Sequence, residues 1–92
     1  MASTNYTRLT AAGAIKDSPG RLYWLIVTSW YADPAYVVLN DDTDGTDDEI
    51  AKFYVPGKRT VVFPFDPPIP CAIGIRIGTF SKSNMEVTGG YS

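Results

Sequence analysis

The stretch Asn40-Asp41-Asp42-Thr43-Asp44-Gly45-Thr46-Asp47-Asp48-Glu49 holds six of the ten acids in a chain of 92 residues. Within it, Asn40-x-Asp42-x-Asp44-Gly45 matches the opening of a calcium-binding loop, in which oxygens at alternate positions converge on a hard cation and glycine allows the sharp bend. Asn40, Asp42 and Asp44 are therefore candidate Ca²⁺ ligands. The match stops there: the position that should carry a bidentate Glu is Ala51, and the flanking residues read as strands rather than helices. Asp47 or Asp48 would have to complete a weaker site of another type. The competing reading is a solvated turn whose charges keep a sheet edge from pairing wrongly.

Other chemistry is sparse. The chain has no histidine and a single cysteine, Cys71, so neither a conventional triad nor a zinc site can be assembled. A pair of catalytic carboxylates needs contrasting environments, and acids crowded on one wet loop share the same one. The sequence thus predicts a protein that is not an enzyme and has no cofactor beyond the Ca²⁺ candidate. Its net charge is −2, and of eight scattered cations only Lys58 and Arg59 are adjacent, which predicts no nucleic-acid partner. There is no apolar run of about 18 residues to cross a membrane as a helix, so no membrane partner is expected. Residues 1–7 lack the basic start and apolar core of a signal peptide, so if the protein works outside a cell something other than a secretory signal is expected to bring it there, incorporation into a particle assembled in the cytoplasm being one such route.

The elements that must position these residues are strands. Residues 21–29, Arg-Leu-Tyr-Trp-Leu-Ile-Val-Thr-Ser, form the longest run favouring a pleated backbone, bounded by Ser18-Pro19-Gly20 and Asp33-Pro34. Strict alternation puts Leu22, Trp24, Ile26 and Thr28 on one face and Tyr23, Leu25, Val27 and Ser29 on the other. With both faces apolar, the strand is expected to be central and covered on both sides, by a second sheet or by a neighbouring subunit. Residues 8–16 read as one earlier strand, and residues 1–7 as a loose arm. The aromatics Trp30 and Tyr31 sit in a turn, where they either fold over the open end of the core or anchor a contact with another chain.

Residues 35–55 read as a hairpin with the acidic stretch at its tip, Ala51, Phe53 and Val55 facing one way and Ile50, Lys52 and Tyr54 the other. Pro56-Gly57-Lys58 suits a type II bend with Gly57 at positive φ. Residues 60–65 continue as strand with Val61, Phe63 and Phe65 inward, and Pro64 places that strand at an edge. Asp66-Pro67-Pro68-Ile69-Pro70 is expected to be a stiff crossover between sheets. In residues 71–79, Ile73, Ile75 and Ile77 face in while Gly74, Arg76 and Gly78 face out, a flat surface with one cation suited to close approach of another backbone. Residues 84–91 close the chain with Met85, Val87 and Tyr91 on one face. The expected fold is therefore all-β, a small antiparallel β-sandwich of about seven or eight strands, jelly-roll or Ig-like, without helices. Residues 1–7 form a flexible N-terminal arm and 8–92 a single domain. So small a domain leaves much of its surface unburied, which favours self-association.

Gly20-Arg21-Leu22-Tyr23 leading into Ile26-Val27-Thr28-Ser29, then Val38-Leu39-Asn40-Asp41 and Thr43-Asp44-Gly45-Thr46, resembles small β-sandwich virion proteins of tailed bacteriophages and related viruses. Phe63-Pro64-Phe65, Pro67-Pro68-Ile69, Gly74-Ile75-Arg76-Ile77 and Val87-Thr88-x-x-Tyr91 extend the resemblance to the C-terminus. It implies a structural virion component, such as a head decoration (cement), minor capsid or fibre-associated protein. Such a protein would have no catalytic residues, form a homo-oligomer and contact the major capsid or another virion protein. The expected contacts are Trp30, Tyr31, Arg76 and the N-terminal arm. The alternative is an adhesin or carbohydrate-binding module in which Trp30, Tyr31 and the acidic loop form a Ca²⁺-assisted sugar platform.

Overall fold

In a computed structural model, residues 5–42 and 49–92 are described. They contain eight strands: β1 (Asn5–Leu9), β2 (Gly13–Lys16), β3 (Gly20–Ser29), β4 (Ala35–Asp41), β5 (Glu49–Val55), β6 (Arg59–Cys71), β7 (Ile75–Phe80) and β8 (Met85–Tyr91). Among the described residues there is no helix. Two antiparallel four-stranded sheets have the orders β1-β8-β3-β6 and β2-β7-β4-β5. Strands 1 to 4 thus pair in turn with strands 8 to 5, as though one long hairpin had been rolled up, and of the two expected sandwich types this is the jelly roll.

The core follows the alternation. Leu25 and Val27 of β3, Met85 and Val87 of β8, Val37 and Leu39 of β4, and Ile75 and Ile77 of β7 are buried between the sheets. Fully burying each such side chain favours folding by about 1.5–3 kcal/mol. Phe53 of β5 meets Phe63 and Phe65 of β6 in tilted ring contacts, at centroid distances of 5.0 and 5.6 Å, and closes the sandwich along one long edge. The 35–55 hairpin, the inward Val61, Phe63 and Phe65, and the edge position of the Pro64 strand are as expected.

The phase of β3 differs from strict alternation. Its register against β8 runs Leu22↔Tyr91 and then Trp24↔Gly90, so Tyr23 is a bulge and Leu22 joins Leu25 and Val27 in the core. Trp24, Ile26 and Thr28 consequently lie on the outer face. The second sheet covers β3 on one side only; the other side carries half-exposed side chains instead of a covering layer.

Three further expectations are corrected. Residues 8–16 are not one strand: residues 10–12 turn between β1 and β2, which belong to different sheets. The arm is paired from Asn5 onward, because Asn5, Tyr6 and Thr7 lie opposite Tyr91, Gly90 and Gly89. The proline-rich stretch does not cross between sheets either, since Ile69, Pro70 and Cys71 stay in β6 opposite Leu22, Arg21 and Gly20. Pro70 fits because β6 is an edge strand and its missing N–H faces no partner.

Candidate functional site

The jelly roll sorts its connections to two ends. Residues 10–12, 30–34, 56–58 and 81–84 gather at one, and residues 17–19 and 72–74 link strands at the other, where β4 also ends and β5 begins. Strand β4 runs from Ala35 at the first end to Asp41 at the second, about 20 Å away at the rise of an extended chain. Trp30 and Tyr31 therefore stand a whole strand away from Asn40 and Asp42. The Ca²⁺-assisted platform that combined them is not brought together.

At the first end the loops bond one another through the backbone. Trp30 N–H donates to Asn84 O at 2.8 Å and Lys58 N–H to Tyr31 O at 2.9 Å. Tyr31 N–H donates to Ser29 Oγ, and Tyr36 N–H to Ser81 Oγ. Gly57 is needed here for space: a Cβ would lie 2.0 Å from Ala32 O. The bend is not the expected type II turn, because among the described residues no glycine has positive φ and it is Lys58 that sits at 57°.

The two aromatics separate. Tyr31 is half-buried beneath the Lys82 ammonium, 4.7 Å from its ring centroid, whereas Trp30 is 58% exposed. Trp30 borders an open cleft of about 320 Å³ lined by Thr28, Ser29, Lys58, Arg59 and Thr60. Thr28 and Thr60 face each other across β3 and β6 with their hydroxyls 2.9 Å apart. Among the described residues no acid lines this cleft.

At the second end a residue passed over in the calcium pattern does the holding. The Asp41 carboxylate accepts the backbone N–H groups of Ala72, Ile73 and Gly74 at 2.9, 2.8 and 3.2 Å. Those bonds, led by Ile73, hold its pKa below the usual carboxylate value. Ile73 is consequently exposed in a turn and Gly74 is buried, opposite to the expected alternation, and Arg76 is not flanked by a flat glycine face. Arg76 lies half-buried on the outer face of the β2-β7-β4-β5 sheet, in register with Ala14 and Asn40. It shares no surface with Trp30 or Tyr31.

Of the candidate metal ligands, Asn40 is fully buried within β4 opposite Arg76, whose positive charge opposes a cation there. Asp42 follows the strand, and Asp44 lies outside the described residues. Among the described residues no three Asp, Glu, Cys or His side chains cluster as metal ligands would. Cys71 is buried, and that burial, with a smaller effect from the Asp41 charge, pushes its thiol up to about 11. It is protonated near neutrality, which disarms it as a nucleophile. No helix of the described chain is long and apolar enough to cross a membrane.

The outer face of the β1-β8-β3-β6 sheet is a second candidate surface. One row across the strands reads Tyr6, Gly90, Trp24, Pro64, and the next reads Arg8, Thr88, Ile26, Val62. Tyr6 is 72% and Val62 58% exposed. The Trp24 indole occupies the space over Gly90, where a Cβ would come within 2.1 Å of the ring. Beside this patch Arg8 pairs with Glu86 through two hydrogen bonds of 2.5 and 2.8 Å. The bulge at Tyr23 takes Leu22 off this face, and bulges leave no periodic signal in a sequence.

Comparison with protein-family models, curated proteins and solved structures gave no match, so no relative carries a function over to this chain.

Proposed function

We propose that this protein is a non-enzymatic structural subunit of a virion, a capsid decoration or minor capsid protein that binds neighbouring coat proteins and self-associates. The observation that carries the reading is the outer face of the β1-β8-β3-β6 sheet. Tyr6, Trp24, Ile26, Val62 and Pro64 form a flat apolar surface, and no described segment packs over Tyr6 or Val62. Apolar residues on both faces of β3 call for cover on both sides, and the second sheet supplies only one. A neighbouring subunit supplies the other. Jelly rolls build viral capsid proteins as well as lectin domains, so the architecture is compatible with the role without selecting it. The protonated Cys71 and the lack of histidine support a role without catalysis.

Sedimentation of the purified protein, alone and with capsids, tests the proposal against Val62→Lys and Tyr6→Ser. Wild type should form oligomers or bind capsids, and each variant should weaken association at least about tenfold while circular dichroism stays unchanged. A wild-type protein that remains monomeric and binds no capsid would refute the reading.

A further inference from the structure

The cleft beside Trp30 has the makings of a ligand site that the assembly role does not require. We propose that it binds a carboxylated sugar, such as a uronic or sialic acid unit of a surface glycan, through cationic rather than calcium-assisted recognition. Three features converge there. An indole that is 58% exposed offers an apolar plane on which the C–H face of a pyranose ring can stack. Lys58 and Arg59 both line the cleft, and among the described residues no acid lines it to neutralise them. The Thr28–Thr60 hydroxyl pair supplies donors and acceptors at the floor.

The conformation of Lys58 points the same way. Its φ of 57° is one that glycine adopts at no cost and a lysine adopts only against the steric crowding of its Cβ. Folding alone would be served better by glycine, whereas a ligand carboxylate gives the ammonium a task. The cleft volume of about 320 Å³ suits one or two sugar rings. A long polyanion is the poorer fit. Apart from Lys58, Arg59 and Lys82, which lies over the Tyr31 ring, it would meet a chain of net charge −2 with no basic track to follow.

Two-dimensional NMR of the full chain, titrated with glucuronate and N-acetylneuraminate, tests this. The two tryptophans give separate indole N–H signals, so Trp24 serves as an internal reference for Trp30. The expected result is a shift of the Trp30 indole and of residues 28–30 and 58–60, with a dissociation constant of about 1 mM. Binding should weaken as salt rises from about 0.05 to about 0.3 M, and glucose should bind far more weakly. Trp30→Ala and Arg59→Ala should each weaken binding at least about tenfold. Lys58→Gly should also lose binding while its melting temperature holds or rises, which separates loss of the site from loss of the fold. Tyr6→Ser, at the far end of the outer face, should bind as wild type does, so this result and that of the assembly test are independent. The proposal is overturned if acidic sugars leave the Trp30 signal unmoved, if Lys58→Gly and Arg59→Ala bind normally, or if inorganic phosphate or a short oligonucleotide binds the cleft more tightly than either sugar.

Discussion

The two ends of the jelly roll are held by opposite means. At the Trp30 end the loops are tied by bonds between neutral groups, Trp30 to Asn84, Lys58 to Tyr31 and Tyr36 to Ser81, together with the close seat of Gly57 on Ala32. The side chains of Lys58 and Arg59 take no part in those ties and are exposed at the cleft. At the Asp41 end a charged group is itself the tie, one carboxylate gathering three successive amides of the turn at residues 72–74. A charge committed to its own backbone is a poor ligand group. A charge left over after the backbone is satisfied is available to a partner, and that difference places the candidate binding site at the Trp30 end although Asp41 and Asp42 lie at the other.

The contrast breaks most severely at Gly57. A methyl group there would meet the Ala32 carbonyl at 2.0 Å, and both atoms' neighbours are backbone. The loops at residues 30–34 and 56–58 must therefore part. Gly57→Ala should cost about 2–3 kcal/mol in urea unfolding, in the upper range for overpacking, and should speed amide exchange at Lys58. Residues 72–74, held independently by Asp41, should exchange as in wild type. If they also lose protection, the ends are not separate units.

Asp41→Asn tests the other end with a smaller effect. The amide keeps one acceptor oxygen but loses the charge and the second acceptor, so a cost of about 1–2 kcal/mol is expected, moderated because the turn is open to solvent. The acid dependence follows from the lowered pKa. Because the folded-state value lies below the ordinary 3.8, the unfolded chain binds the proton more readily. The stabilisation is therefore fully present above the ordinary value and is lost as pH falls through the folded one. Glu86, lowered by its hydrogen bonds to Arg8, titrates in the same direction. The informative quantity is thus the difference between wild type and Asp41→Asn, which should shrink as pH falls below about 4. A difference that is constant with pH would mean that the amides are satisfied equally well without the charge.

Most of the scaffold could be read from the chain because burial imposes periodicity. Alternation located the 35–55 hairpin, the inward phenylalanines of β6 and the last strand, and Pro64 marked an edge. What failed were features with no period. The bulge at Tyr23 moved Leu22 into the core, away from Trp24, Ile26 and Thr28, which share the outer face as alternation had them. The turn at residues 72–74 reversed the expected roles of Ile73 and Gly74, because a side chain more than thirty residues away in sequence organises it. The site was harder still. Asp41 was hidden inside a calcium-like pattern that used its neighbours, and the adjacency of Lys58 to Arg59 after a Pro-Gly bend was the one local sign of the cleft. Spacing in a sequence shows which groups are near along the chain. It does not show which of them the backbone will consume.

The mildest test concerns Lys82, the third cation of the Trp30 end. Unlike Lys58 and Arg59, it is already engaged, lying 4.7 Å from the centre of the Tyr31 ring. If charges at this end divide into those that hold the fold and those that meet a ligand, Lys82 belongs to the first kind. Lys82→Gln should lower stability by about 0.5 kcal/mol, as expected for an exposed cation over an aromatic face, and should move the Tyr31 ring resonances in NMR spectra. The Trp30 indole signal and any glucuronate affinity should stay within about twofold of wild type. Arg59→Ala should give the reverse pattern, with stability unchanged and affinity reduced. Should Lys82→Gln instead reduce glucuronate binding as strongly as Arg59→Ala, the cleft would extend across Tyr31 to residue 82, and the division between holding and binding charges at this end would fail.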